Sequence, residues 1–273
     1  MNIHCAEEHR QFADGKMLAH RHGEIGYMTF NQPEKRNAVS LEMWNGVAEI
    51  LGAYEQDESI RVVVMSGAGG KAFVSGADIS QFDKQRSNAE ARAEYARLSD
   101  VGRESLASFS KPIIAQIDGY CLGGGLAIAM RADLRIASDR SSFGIPAARL
   151  GIAYSPDSLE QLVTLVGPAN ARMLLYTASR IGAAEAQAIG LINRHVPESE
   201  LETSVRALAE TIADNAPLSI AASRFTITEL TKPEGERDLE SIQQAVATCF
   251  NSDDYREGRA AFKDKRKPQF FGR

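Results

Sequence analysis

Apolar and polar positions along the chain follow two periods in turn. Ile25 to Phe30 alternates apolar and small residues and stops at Asn31-Gln32-Pro33, which predicts a strand and its breaker. Leu41, Trp44, Val47, Ala48 and Leu51 recur at helical spacing and predict a helix over Ser40 to Gln56, with Ser40 as its N-cap. Arg61 to Met65 is a β-branched run ending at Ser66-Gly67, the mark of a buried strand. Asn88 to Phe109 reads as a polar surface helix. The plan then repeats: a strand from Pro112 to Ile117, a turn at Asp118-Gly119, three glycines at 123–125, an apolar helix from Leu126 to Ala132 and a strand from Leu134 to Ala137. From about Ser199 only helices are predicted, over Glu200–Ala213, Pro217–Leu230, Glu236–Phe250 and Asp253–Lys265. The expected organisation is therefore an α/β core over 1–198 and a helical region over 199–273. A helical region of that size buries little surface alone, so it is expected to pack on the core or on another subunit, with oligomerisation favoured.

Composition narrows the class. At about 150 residues per domain, 273 residues make one large domain or two small ones. With 44% hydrophobic and 25% charged residues, the chain is neither disordered nor collagen-like. Lys and Arg number 31 against 36 Asp and Glu, a net charge of −5 that argues against nucleic-acid binding through a general positive field. No apolar run approaches the roughly 18 residues of a membrane helix, and Met1 to Lys16 lacks the apolar stretch of a secretory signal. Cys5, Cys121 and Cys249 are odd in number and far apart, against a disulfide framework. His4, His9, His20, His22 and His195 show no metal-ligand spacing. A cytoplasmic, metal-free protein is expected.

Two kinds of glycine segment compete for chemistry. Ser66 to Ala72 invites a nucleotide-binding reading, but the P-loop pattern would need glycine at Met65 and Ser or Thr at Ala72. The dinucleotide pattern fits loosely as Gly67-x-Gly69-x-x-Ala72, yet Phe73-Val74-Ser75-Gly76 follows where a helix should begin. More informative are the turns Phe73 to Ile79 and Leu122 to Gly125, each following a strand. Glycines there let backbone approach a ligand and leave N–H groups unpaired. Two such turns on neighbouring strands can aim two N–H donors at one oxygen, an oxyanion hole. The same glycines would also serve tight turns and close helix–strand contact.

Lys71-Ala72-Phe73-Val74-Ser75-Gly76-Ala77-Asp78-Ile79 and Ile117 to Leu126, with Asn31 to Ala38, Phe143-Gly144-Ile145-Pro146, and the tail from Asp253 to Pro268, strongly resemble the enoyl-CoA hydratase/isomerase (crotonase) superfamily over nearly the whole chain. The resemblance implies a spiral of ββα turns with a C-terminal helical trimerisation region, trimers often paired into hexamers. It also implies an acyl-CoA thioester as substrate, with coenzyme A part of that substrate and no separate cofactor. By position, the backbone N–H groups of Ala77 and Gly124 would polarise the thioester carbonyl, with Gly76, Asp78, Ile79 and Gly123 beside them. Hydration, double-bond shift and decarboxylation of acyl-CoAs all pass through an enolate-like state that such donors stabilise. Asp78 is read as a turn-stabilising residue.

The departures from the family are as telling. Its hydratases carry glutamates at the positions of Ala127 and Ala147, and a methyl group moves no proton. Two-glutamate hydration and single-glutamate isomerisation both lose their acid. Tyr154, in Leu150-Gly151-Ile152-Ala153-Tyr154, and the tail resemble the methylmalonyl-CoA decarboxylase subgroup, whose reaction needs no base; that subgroup has histidine at the position of Ala77. A buried core aromatic is the other reading of Tyr154. Asp157 and Glu160, three apart in a first helical turn behind Ser155-Pro156, suit capping, or serve as a relocated acid. Lys263 and Lys267, with Lys265, Arg266 and Arg273, are candidates for the CoA phosphates, or simply a solvated charge run. Met17, Met28, Met43 and Met130 read as core fillers. The favoured reading is an acyl-CoA enzyme that decarboxylates or otherwise dispenses with paired glutamates. Hydration through Asp157 or Glu160, and a silent acyl-CoA-binding scaffold, stay open beside it.

Overall fold

The computed structural model describes residues 9–77 and 89–273. Three antiparallel strands, β1 (Arg10–Phe12), β2 (Met17–His22) and β3 (Ile25–Phe30), lead through helix α1 (Leu41–Gln56) into a repeating unit. Each repeat gives one strand to a large sheet and the next to a small one. The pairs are β4 (Val62–Gly67) with β5 (Ala72–Val74), β6 (Ile113–Ile117) with β7 (Tyr120–Leu122), and β8 (Leu134–Ser138) with β9 (Ser142–Gly144). Helices α2 (Ala89–Ser108), α3 (Gly124–Met130) and α4 (Pro156–Thr177) follow the three pairs. Strand β10 (Arg180–Gly182), helix α5 (Ala183–Ala188) and strand β11 (Arg194–Val196) complete the sheets, in the orders β1-β2-β3-β4-β6-β8-β11 and β10-β9-β7-β5. This is the ββα spiral that the resemblance implies.

Burial follows the two sequence periods. The β-branched run of β4 splits by parity: Val63 and Met65 join the core between the sheets, while Val62 and Val64 face the opposite layer. That opposite layer is covered by α6 (Leu201–Ala213), whose Leu201, Val205, Ala209 and Ala213 repeat at helical spacing against Ile25, Ile114 and Ile136. The first helix of the 199–273 segment thus packs on the large sheet. The three helices after it, α7 (Pro217–Thr231), α8 (Leu239–Asn251) and α9 (Asp253–Asp264), leave Ile227, Leu230, Phe250 and Phe262 exposed. Met17, Met28, Met43 and Met130 are buried as expected. Among the described residues, no helix is long and apolar enough to cross a membrane.

Small residues set the close contacts. Gly26 on β3 leaves room for the Tyr54 ring of α1, which a Cβ would meet at 2.9 Å. The Tyr54 hydroxyl then shares its proton between the carbonyls of His20 (2.8 Å) and Tyr27 (2.9 Å), clamping α1 to the β2–β3 hairpin. On α2, a Cβ at Gly102 would overlap the Trp44 carbonyl oxygen and stand 2.8 Å from Trp44 Cε3.

Two outcomes are expected. Gly102→Ala gains up to about 1 kcal/mol of helix propensity, but forcing α1 and α2 apart outweighs it, so a net destabilisation of about 2 kcal/mol should appear in the urea midpoint. Burial pushes the Tyr54 hydroxyl up to about 12, against an ordinary value near 10. Between those values the unfolded chain releases a proton that the folded chain keeps, so stability falls as pH rises through that window. Urea titrations from pH 9 to 12 should show a fall that is smaller in Tyr54→Phe.

Candidate active site

Strands β5, β7 and β9 are parallel neighbours in the small sheet, so their C-terminal ends emerge together, where ligands bind in open α/β sheets. Those ends carry Ser75-Gly76-Ala77, Gly123-Gly124 and Ile145-Pro146-Ala147. Gly76 has φ +123° and Gly123 has φ +50° with ψ −118°, conformations that a side chain resists. The first two turns touch backbone to backbone. A Cβ on Gly76 would lie 3.8 Å from the Gly124 nitrogen, and one on Gly124 would lie 3.5 Å from the Ala77 nitrogen. A Cβ on Gly125 would overlap the Val74 carbonyl.

Each turn is braced from outside. Asn37 is fully buried with φ +56°; its Nδ2 donates to the carbonyls of Ala68 (3.0 Å) and Ala72 (2.8 Å), and its Oδ1 accepts from the Gln32 N–H (2.9 Å). The loop it fixes holds the first turn: Val39 N–H donates to the Gly76 carbonyl (2.8 Å) and Ser75 N–H to the Arg36 carbonyl (3.1 Å). In the second turn Gly123 N–H donates to the Gly144 carbonyl (2.8 Å), and the Gly123 carbonyl accepts from Ala127 N–H (3.1 Å) and from the Tyr154 hydroxyl (2.8 Å). Among the described residues, no backbone carbonyl accepts from the Ala77 or Gly124 N–H.

Of the side chains singled out in the sequence, Ala127 and Tyr154 pack with buried Ala147 on one core cluster. Burial pushes the Tyr154 hydroxyl up, the nearby Cys121 adds to this and the Ala127 N–H opposes it. The ring therefore carries a neutral hydroxyl at physiological pH. Asp157 and Glu160 are exposed, and Asp157 lies 3.6 Å from Arg131 of α3's C-terminal edge; neither is hydrogen-bonded to the glycine turns. Lys267 is ion-paired with Asp214 (2.7 Å), and exposed Lys263 sits in the last turn of α9. Asp78 and Ile79 lie outside the described residues.

One cluster was not singled out from the sequence. The guanidinium groups of Arg36 and Arg180 stand 5.4 and 5.2 Å from the centre of the Tyr120 ring. Both arginines are exposed, and neither is ion-paired with a described residue. Arg36 and Tyr120 lie within motifs that already carry the resemblance, whereas Arg180 joins them only because β10 pairs with β9.

The family model described as enoyl-CoA hydratase/isomerase matches residues 20–273. The chain is 34% identical over 255 residues to a short-chain-enoyl-CoA hydratase of Clostridium acetobutylicum, covering 93% of this chain and 97% of that one. It is 35% identical over 256 residues to a carnitinyl-CoA dehydratase of Proteus mirabilis, with coverage of 92% and 96%. Among solved structures it is similar to an enoyl-CoA hydratase/carnithine racemase from Magnetospirillum magneticum, at a TM-score of 0.90 and 35% identity over 94% of this chain and 96% of that chain. The chain belongs to the enoyl-CoA hydratase/isomerase (crotonase) superfamily of enzymes that act on acyl-CoA thioesters.

Proposed function

We propose that the thioester carbonyl of an acyl-CoA sits between the N–H groups of Ala77 and Gly124, and that the chain decarboxylates a malonyl-type acyl-CoA. In that reaction the bond from Cα to the carboxylate breaks and CO₂ leaves. The electron pair passes to the thioester oxygen as an enolate, and Cα then takes a proton from solvent. The observation that carries this reading is a pair of neighbouring backbone amides together with alanine at 127 and 147, both packed on one core cluster, at the places where the family's hydratases hold glutamate. Donors aimed at a developing oxyanion stabilise an enolate without moving a proton themselves. The methylmalonyl-CoA decarboxylase subgroup fits this reading best.

Relatives named as hydratases and dehydratases favour hydration as the second reading. That reading needs Asp157 or Glu160 as acid, and the exposure of both, with Asp157 facing Arg131, speaks against it. For the coenzyme, Arg36 and Arg180 offer two exposed guanidinium forks against the Tyr120 ring, suited to phosphate oxygens. Lys263 is a further phosphate donor, whereas Lys267 would first have to leave Asp214. The exposed aromatic rings of α8 and α9, with an apolar groove of about 650 Å³ beside them, support a trimer or hexamer in which this region is covered by another copy.

Purified protein should release CO₂ from methylmalonyl-CoA or malonyl-CoA and leave crotonyl-CoA unhydrated. Hydration of crotonyl-CoA that disappears in Glu160→Gln would transfer the assignment to the second reading, and CoA-thioester binding without either reaction would make the chain a silent binder. Gly124 is the first residue of α3, a position that accepts proline, so Gly124→Pro deletes one N–H while keeping the helix. It should lower kcat about a hundredfold to a thousandfold, with the circular-dichroism spectrum unchanged.

A further inference from the structure

We infer that Tyr154 is the positioning residue of the Gly123–Gly124 peptide: by donating its hydroxyl proton to the Gly123 carbonyl it aims and strengthens the Gly124 N–H. This rests on the reading of Gly124 as an oxyanion donor.

The Gly123 carbonyl and the Gly124 N–H belong to one peptide group. The chain contains no cis peptide among its described residues, and in a trans peptide these two groups point in opposite directions. A partner that fixes the carbonyl therefore fixes the opposite aim of the N–H. Such a partner is needed here, because this peptide joins two glycines and glycine backbone rotates freely. The Tyr154 hydroxyl at 2.8 Å and the Ala127 N–H at 3.1 Å both end on that carbonyl oxygen. The Ala127 bond closes the first turn of α3. The tyrosine instead arrives from the segment before α4, outside the helix, so it ties the peptide to a second element.

The bond also acts on charge. A hydrogen bond accepted by a peptide carbonyl withdraws electron density through the peptide and makes its N–H a better donor, by about 10–30% per bond. The N–H gains most when the opposing oxygen is an enolate. A hydroxyl engaged in this way is committed to the protein, so Tyr154 is not the proton source in this geometry. Burial keeps the hydroxyl protonated, as the role requires.

The test is isotope-edited infrared spectroscopy of butyryl-CoA carrying ¹³C at the thioester carbonyl, a ligand that cannot decarboxylate. In the wild type the bound carbonyl stretch should fall below its value in solution. Tyr154→Phe should reduce that fall and lower kcat on methylmalonyl-CoA about threefold to tenfold, with KM changed less than kcat. Replacement of Tyr154 by 3-fluorotyrosine, a stronger donor of nearly the same size, should enlarge the fall and guards against a folding defect in the phenylalanine variant. If Gly124→Pro reduces the carbonyl shift while Tyr154→Phe and the fluorotyrosine leave it at the wild-type value, Tyr154 is only a packing residue and the inference is overturned, with the amide site intact. If Gly124→Pro keeps the full shift, the amide site itself is overturned and this inference goes with it.

Discussion

The proposed site depends on the absence of a side chain at Gly125, where helix α3 meets strand β5. Gly76 and Gly124 face one another at ordinary contact distance, a Cβ on Gly124 standing 3.5 Å from the Ala77 nitrogen, whereas a Cβ on Gly125 would overlap the Val74 carbonyl. A single methyl group at Gly125 would push α3 away from β5 and separate the two amides. The rest of the fold can be read as holding that contact. The ββα spiral puts β5 beside β7 in one sheet, the buried Asn37 fixes the loop that carries Val39 and Arg36, and those residues hold the first turn by its carbonyl and its preceding N–H. Backbone donors do not titrate, so an amide pair built this way keeps its charge distribution at any pH at which the chain is folded.

Much of the scaffold was legible because it follows burial periodicity. The helix expected over Ser40–Gln56 is Leu41–Gln56, and the buried strand expected at Arg61–Met65 is Val62–Gly67. The last helices fall within a few residues of their expected spans. The capping details were not legible. Ser40 and Ser155 stand at N-cap positions as expected, but Ser40 donates to the Glu42 carboxylate and Ser155 to the Ser158 hydroxyl, and neither caps through its side chain. Helix α3 begins at Gly124 rather than Leu126, since glycine propensity argues against a helical start that tertiary contact with β5 imposes. Pairings between distant segments were hidden for a different reason. Lys267 looks like a free cation in the sequence, yet Asp214 faces it, and nothing local in either segment announces the other. The same holds for Arg180 beside Tyr120.

Tyr154 shows how far residue type alone reaches. An aromatic ahead of a helix is compatible with core filling and with chemistry, and the sequence offers no reason to choose. The structure gives the ring a place in the core and its hydroxyl a specific acceptor, so both readings hold for different parts of one side chain. The acceptor matters more than the donor: Gly123 is the one residue whose carbonyl shares a peptide with the Gly124 N–H.

The two alanines bear on which acyl group suits the site. A glutamate at position 127 would set a negative charge near the acyl portion of a bound thioester. Against a second carboxylate about 5 Å away, at an effective dielectric near 20, the repulsion is about 3 kcal/mol, or roughly two orders of magnitude in affinity. Such a repulsion is irrelevant to a neutral enoyl chain, whose hydration needs the glutamate. It is prohibitive for a malonyl-type chain, which brings its own negative charge and needs no base. Ala127 and Ala147 remove the acid and the repulsion together. In decarboxylation the charge then leaves the carboxylate and collects on the thioester oxygen. On the proposed reading the amides of Ala77 and Gly124 stand ready at that oxygen, so the charge moves toward two donors as it forms.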